Sequence, residues 1–478
     1  MSEFTAAVAG AVVGFIVCGI GVSIHEGWNR RPSLRKLLKR HFRGADDSDI
    51  KVHSKVFPYR VSVDVYRAVT RWLETNCTVD SQCGIAVTER FMSSNGISSF
   101  LTSEEWFPAA LEYNFFDIGE EKPVQVVRDS LWFAKSAGAP VTLLWTSYYD
   151  RVGCNVESLL RIDLAHIAGI DEDFVEDFYK RVEETVCLLG SYRGKVLSLE
   201  DETDYSGNSI GVIVHRLETV DREQVILPDT TLRLLERNLI RFVAQHPELA
   251  KLGMPIKKGI LMYGPPGTGK THTIRYLASH LTGHTILLAT AEQVANINQY
   301  ITLARLLQPS VVVIEDVDLI ARERDGSEVG RESLLNRLLN EMDGLRADAE
   351  ILFLLTTNRP ESLERALAAR PGRVDQAIEF PLPDEMGRRK LVQLYAAGAA
   401  IDDDVVRHAA RISDGVSASF IKELMRRAIQ FHLECRSDGQ SVRILQNDVD
   451  QAIDELLFTG GSLNRTLLGA DGAIAEAD

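Results

Sequence analysis

Hydrophobic and polar positions divide the chain into distinct regimes. Phe4 to Ile24 is a run of 21 residues without a charge, enough for one membrane crossing at roughly 1.5 Å per residue. Within it Ala6, Gly10 and Gly14 recur at four-residue steps, a spacing that lets helices approach closely in lipid. The start, Met1-Ser2-Glu3, lacks the basic residues of a cleaved signal peptide. Pro32 to Arg43 then turns helical, with Leu34, Leu37, Leu38 and Phe42 on one face and basic residues over the rest. That pattern suits a helix lying on anionic headgroups, or alternatively a solvated charge run. Gly44–Ile50 reads as a polar hinge. From 51 to 224 short β-rich runs (Val61–Val65, Val141–Trp145, Ile210–Val214) alternate with helical stretches (Tyr66–Glu74, Glu172–Cys187), predicting a mixed α/β domain. All five tryptophans precede residue 150, and Trp72, Trp132 and Trp145 read as core.

Past residue 225 the pattern changes again. Leu227-Pro228-Asp229 opens a predicted helix reaching Val243. Ile256–Met262, Thr285–Ala289, Val311–Ile314 and Ile351–Leu355 are apolar runs of buried-strand length. Leu391–Tyr395, Val405–Ile412 and Phe420–Ile429 have helical periodicity and predict a small helical lid. The expected organisation is an anchor at 1–28, a basic helix and hinge at 29–50, a middle domain at 51–224, a nucleotide-binding domain at 225–384, the lid at 385–458 and a disordered tail at 459–478.

Composition and charge narrow the picture. Apolar residues make 45% and charged residues 25% of the 478, which excludes a largely disordered chain. A net charge of -15 makes nucleic acid an unexpected partner. Six cysteines without a CxxC pair fit a reducing compartment rather than a disulfide framework. Arg30, Arg31, Arg35, Lys36, Lys39, Arg40 and Arg43 follow the apolar run, whereas only Glu3 precedes it. The positive-inside rule then puts the bulk of the chain on the cytoplasmic side of a bacterial inner membrane, or on the matrix side of the mitochondrial one. The alanine content favours the bacterial case.

The chemistry concentrates at strand ends. Gly264-Pro265-Pro266-Gly267-Thr268-Gly269-Lys270-Thr271 fits GxxxxGK[ST] between an apolar strand and a helical run. Its glycines permit a tight loop whose backbone N–H groups surround phosphates, with Lys270 reaching the β- and γ-phosphates of ATP and Thr271 binding Mg²⁺. Glu315 and Asp316 end the next strand; we assign Glu315 to the metal, through water, and Asp316 to the attacking water. Asn358 ends a third strand, where an amide can hydrogen-bond the γ-phosphate or the water. Arg370 and Arg373, on a Pro-Gly turn, suit charge stabilisation in phosphoryl transfer. His272 reads as a packing or surface residue.

This order of motifs resembles the AAA ATPase family over about residues 225–460, including Leu338–Gly344 and Thr356–Pro360. The resemblance implies an α/β P-loop module, a parallel sheet with helices on both faces, followed by the helical lid. It further implies that Asn358 is the sensor, that Arg370 and Arg373 act across a subunit boundary, that Gly415–Phe420 meets the nucleotide from behind, and that the chain forms a hexameric or heptameric ring. Two departures stand out. The acid pair runs Glu then Asp, and the short Thr290–Ser310 segment has Tyr300 as its one aromatic and no glycine, unlike an aromatic–hydrophobic–Gly pore loop. With the anchor and basic helix, these resemble the branch of the mitochondrial chaperone that translocates the folded Rieske protein.

The expected function is a membrane-anchored ATPase that remodels or translocates a protein client. The alternative is a nucleotide-dependent switch that recruits partners at the membrane without mechanical work. A membrane zinc protease is excluded for this sequence, because its His25-Glu26 pair has Asn29 where HExxH needs a second histidine.

Overall fold

The computed structural model describes residues 32–87, 96–152, 155–167, 172–199, 211–290, 293, 297–322, 332–346, 348–363, 374–434 and 442–456. The expected anchor at Phe4–Ile24 and tail at 459–478 lie outside them. Among the described residues no helix is long and apolar enough to cross a membrane. The chain splits into two compact units, one of residues 1–191 with 200–212, the other of 192–199 with 213–478.

The first unit begins with helix α1 (Leu34–His41), strand β1 (Ile50–Pro58), helix α2 (Ser62–Asn76) and strand β2 (Thr78–Val87). Helix α3 (Ile97–Thr102), strand β3 (Trp106–Ala109) and the hairpin of β4 (Tyr113–Phe116) and β5 (Val124–Val127) follow. Strands β6 (Ser130–Ser136), β7 (Ala139–Val152) and β8 (Asn155–Ile167) and helix α4 (Glu172–Leu189) complete it. Six strands form one sheet in the order β1-β8-β7-β6-β2-β3, with antiparallel pairing throughout. Its two faces are both covered, which is why β6 reads as a nearly continuous apolar run. Tyr66 of α2 meets Trp145, and Trp72 meets Phe174 and Phe178 of α4. Trp72, Trp132 and Trp145 are buried, as expected.

Two sequence expectations are corrected here. Val61–Val65 alternates like a strand but enters helix α2, because a five-residue alternation is outweighed by the helical spacing of Val65, Ala68, Val69, Trp72 and Leu73, all buried. Asp64, on the same helix, is buried because its carboxylate accepts from the Ser191 N–H at 2.9 Å and the Ser191 hydroxyl at 2.5 Å. The second correction concerns α1. Its apolar face does not lie on headgroups: Leu34 and Leu38 are fully buried and Phe42 nearly so, packed with Ile97, Phe100, Phe133, Leu144 and Ala165. The basic residues form its outer face, where Arg35 and Lys39 both approach Asp47 at 3.6 Å.

The second unit is built on a seven-stranded sheet, β10-β9-β12-β13-β14-β11-β15. Its strands are β9 (Val196–Leu199), β10 (Val212–His215), β11 (Lys258–Tyr263), β12 (Thr285–Ala289), β13 (Ser310–Ile314), β14 (Ile351–Thr357) and β15 (Gln376–Glu379). The pairings from β9 through β12, β13, β14 and β11 to β15 are parallel. Two strands, β9 and β10, thus come from upstream of residue 225. The expected helix from Asp229 is present as α5 (Asp229–Leu235), continued by a π-helical stretch (Glu236–Arg241) and Phe242–Ala244. Helices α6 (Lys270–His280), α7 (Ile297–Leu306), α8 (Val317–Arg322) and α9 (Glu332–Asp343) connect the strands. The lid comprises α10 (Glu385–Ala396), α11 (Asp403–Ile412), α12 (Ala418–Glu434) and α13 (Gln446–Asp454), with a two-residue parallel pairing between Ala400–Ile401 and Arg443–Ile444. Its core contains Leu391, Val406, Phe420, Leu424 and Val449. Buried Arg388 ties the helices together, donating to the Ala410 carbonyl at 2.7 Å and pairing with Asp414 at 2.8 Å.

All five tryptophans lie before residue 150, so tryptophan emission reports on the first unit. Leu38→Ala should destabilise that unit by about 2–5 kcal/mol in urea unfolding followed by tryptophan emission. A loss under about 0.5 kcal/mol, the range of surface substitutions, would show that α1 is peripheral.

Candidate nucleotide site

The parallel register brings three strand ends together. β11 lies between β14 and β15, and β13 pairs with β14, so Tyr263, Ile314 and Thr357 open onto one edge of the sheet. Such carboxyl ends of parallel strands are where open α/β sheets bind ligands. The loop after β11 curls back and enters α6 at Lys270. Gly264 takes φ +147°, and a Cβ there would sit 2.2 Å from the Phe380 carbonyl, so only glycine lets the loop pass β15. Gly267 takes φ +75°, and a Cβ would lie 2.0 Å from Ser419 Oγ. The Ser419 N–H also donates to the Gly267 carbonyl at 3.1 Å. The lid segment Gly415–Phe420 therefore packs directly on the phosphate loop.

Lys270 is 7% exposed. Its Nζ donates to the Gly264 carbonyl at 2.8 Å and the Pro265 carbonyl at 3.0 Å, inside the curl where phosphate oxygens would enter. Burial pushes its pKa down to about 8, against the pull of Asp316 and Asp318. Thr271 Oγ1 donates to Glu315 Oε1 at 2.6 Å. This hydroxyl and carboxylate are hard oxygen donors of the kind Mg²⁺ takes, usually with retained waters, so the pair fits the ion assigned to it.

Asp316 sits in the left-handed region at φ +52°, a conformation that costs a non-glycine residue about 1–2 kcal/mol. Its N–H donates to Thr356 Oγ1 at 3.1 Å, and its Oδ1 accepts from Asn358 Nδ2 at 2.9 Å. The strained turn aims the Asp316 carboxylate across β13 and β14 at the Asn358 amide. Asp318, two residues further on in the first turn of α8, is 3% exposed. Its Oδ1 accepts from Thr357 Oγ1 at 2.9 Å and the Asn358 N–H at 3.2 Å. It fixes the backbone that carries Asn358 and adds a negative charge near Lys270. A second acid in the first turn of α8 was the available signal.

Of the residues expected from sequence, the structure gathers Gly264, Pro265, Pro266, Gly267, Thr268, Gly269, Lys270, Thr271, Glu315, Asp316 and Asn358 at this edge. Arg370 and Arg373 lie outside the described residues. A cavity of about 420 Å³ extends from the loop. Sequence reasoning missed its far wall, made by Gln224–Leu227, His272, Tyr395 and Lys422. Tyr300 is buried, not loop-exposed; its hydroxyl accepts from the Leu199 N–H at 3.1 Å and lies 2.8 Å from Gln293 Oε1.

A P-loop, a strand ending in paired acids and a strand ending in Thr356-Thr357 before Asn358 on one parallel sheet define a P-loop nucleotide phosphohydrolase. The family described as "ATPase family associated with various cellular activities (AAA)" matches residues 260–382. The 26S proteasome regulatory subunit 10B of Dictyostelium discoideum is 34% identical over 356 residues, 61% of this chain and 89% of that one. The chain belongs to the AAA ATPase family, an ATP-binding and ATP-hydrolysing class. The proteasome-activating nucleotidase of Methanothermobacter thermautotrophicus is 31% identical over 272 residues, 53% of this chain and 62% of that one. The ATP-dependent zinc metalloprotease FtsH 3 of Symbiobacterium thermophilum is 32% identical over 279 residues, 54% and 44% respectively. The chain thus spans less than two thirds of these last two relatives.

Phosphate oxygens would stabilise the charged form of Lys270, so binding takes up a proton once the free ammonium has begun to titrate. ADP affinity should therefore fall as pH rises through about 8, by up to about tenfold per unit. Calorimetric titrations between about pH 7 and pH 9.5 check this, and a flat profile would remove Lys270 from the phosphate site.

Proposed function

We propose that this chain is a ring-forming ATPase that couples nucleotide turnover to remodelling or translocation of a protein client. The observation that carries the reading is the shared geometry of Lys270, Thr271, Glu315, Asp316 and Asn358 at adjoining parallel strand ends. Lys270 and the loop amides hold the phosphates; Asp316 accepts a proton from the attacking water, which Asn358 helps to orient. Thr271, and Glu315 through water, would hold Mg²⁺, which when bound would neutralise phosphate charge. Arg370 and Arg373 supply charge stabilisation from the neighbouring subunit. The proteasome-activating names of the relatives support a protein client. This sequence has no HExxH motif, which a zinc peptidase site of that type needs.

The membrane part of the reading rests on Phe4–Ile24 and the basic residues after it. It places the chain in an inner membrane by one span, with the ATPase on the cytoplasmic side, or on the matrix side in a mitochondrion. The likeness to the Rieske-translocating branch rests on the Glu315-Asp316 order and the short Thr290–Ser310 segment. One observation favours the second reading, a nucleotide-dependent switch: Tyr300 is buried and cannot grip a threaded polypeptide. ATP turnover accelerated by an unfolded or folded protein client supports remodelling, whereas unstimulated turnover with nucleotide-dependent partner recruitment supports the switch.

Lys270→Ala should abolish nucleotide binding, and Asp316→Asn should bind ATP and retain it unhydrolysed for many wild-type turnover times. Equilibrium binding with ATP, followed by phosphate release, measures both. Undiminished hydrolysis in the two variants would overturn the site.

A further inference from the structure

His272 follows Thr271 in the first turn of α6 and lines the cavity beside Gln224. Its Nε2 lies 3.2 Å from the Gln224 carbonyl. A carbonyl only accepts, so Nε2 carries the proton in this contact. The same peptide unit is fixed at its other end, where the Val225 N–H donates to the Arg222 carbonyl at 3.2 Å. Around it the turn is closed by a reciprocal pair: the Gln224 N–H donates to the Asp221 carbonyl at 3.1 Å, and the Asp221 N–H donates to Gln224 Oε1 at 2.9 Å. The plane of the Gln224–Val225 peptide is therefore locked, and the imidazole is its one fastening to the phosphate-loop helix among the described contacts.

The next residue is different. Among the described residues, neither the N–H nor the carbonyl of Ile226 makes a hydrogen bond. Ile226 is half-buried in the cavity wall, and its side chain packs on the lid core that holds Leu391 and Val392. The N–H and carbonyl of this half-buried residue, unspent on other protein groups and beside a ligand cavity, form a donor–acceptor edge. Adenine offers the matching edge, an amino donor at N6 beside an acceptor at N1. Guanine offers the reverse, an acceptor at O6 beside a donor at N1. A backbone edge held in one orientation accepts the first and leaves polar groups unpaired against the second.

We infer that His272 is a positioning residue for base selection: by holding the Gln224 carbonyl it aims the Ile226 peptide edge at the base. The inference rests on the nucleotide reading of the cavity and adds to it the residue that sets which nucleotide is preferred. The phosphate loop itself reads no base, since its contacts go to phosphates that every nucleotide shares.

The test compares ADP with GDP, which differ only in the base, by calorimetric titration of the full-length protein. Leucine fills the space of the imidazole but cannot donate; glutamine places an N–H donor the same number of bonds from Cβ. His272→Leu should cut the ratio of ADP to GDP affinity by about fivefold, the scale of one lost hydrogen bond, while His272→Gln should keep it within about twofold. A purely structural role would weaken both nucleotides alike and leave the ratio unmoved. An unchanged ratio in His272→Leu, or equal losses in the leucine and glutamine variants, overturns the inference. Wild-type protein that binds ADP and GDP equally overturns it too, while leaving the nucleotide site standing. Wild-type protein that binds neither overturns the nucleotide reading and the inference with it.

Discussion

The site depends on a single constraint, the parallel pairing of β13 with β14 and of β14 with β11. Ile314 lies beside Leu355 and Tyr263 beside Thr357. Because all these strands run the same way, the phosphate loop, the acid pair and the Asn358 amide leave the sheet on one side within hydrogen-bond reach. A one-residue slip in either pairing would turn alternate side chains to the opposite face and separate Thr271 from Glu315 or Asn358 from Asp316. The apolar strands, buried to the last residue in β13 and β14, hold that register. The chemistry is thus secured by packing a strand length away from it.

The buried charges form the second layer of the design. Lys270 and Asp318 are buried beside the half-buried Asp316, where like and unlike charges act more strongly than at a surface. Desolvation weakens the hold of Lys270 on its proton, and two carboxylates partly restore it. An ammonium in that condition gains more from an arriving phosphate than a solvated one would. The strain in Asp316 belongs to the same arrangement, since a left-handed aspartate persists only where Thr356 and Asn358 hold it.

How much could be read from sequence follows from where each constraint originates. The phosphate loop was legible because its residue types answer local backbone demands: Gly264 and Gly267 must admit positive φ and close neighbours. The strands were legible because fully buried parallel strands are apolar along their whole length. Helix α1 was legible as a helix but misread in its role, since an amphipathic pattern shows that one face is covered and not by what. Val61–Val65 fell to the ambiguity of a short alternating run. The far wall of the cavity was not legible at all. His272 meets Gln224 across 48 residues, and Asp318 meets Thr357 across 39; neither contact leaves a periodicity or a motif behind.

The upstream strand β9 has a consequence for how the second unit is assembled and how it can be divided. Leu197 pairs with Leu287, and the Ile286 N–H donates to the Lys195 carbonyl at 2.9 Å. During synthesis β9 emerges well before its partner and must wait for some ninety residues of chain before β12 can meet it, a non-local pairing of the kind that slows folding. A fragment cut at the start of the helix from Asp229 would keep every residue of the phosphate site and yet leave β12 as a bare edge, its amides open to pairing with another chain. The border of the catalytic unit is therefore drawn by the sheet's need for a protected edge, some thirty residues ahead of the first residue that touches the nucleotide cavity.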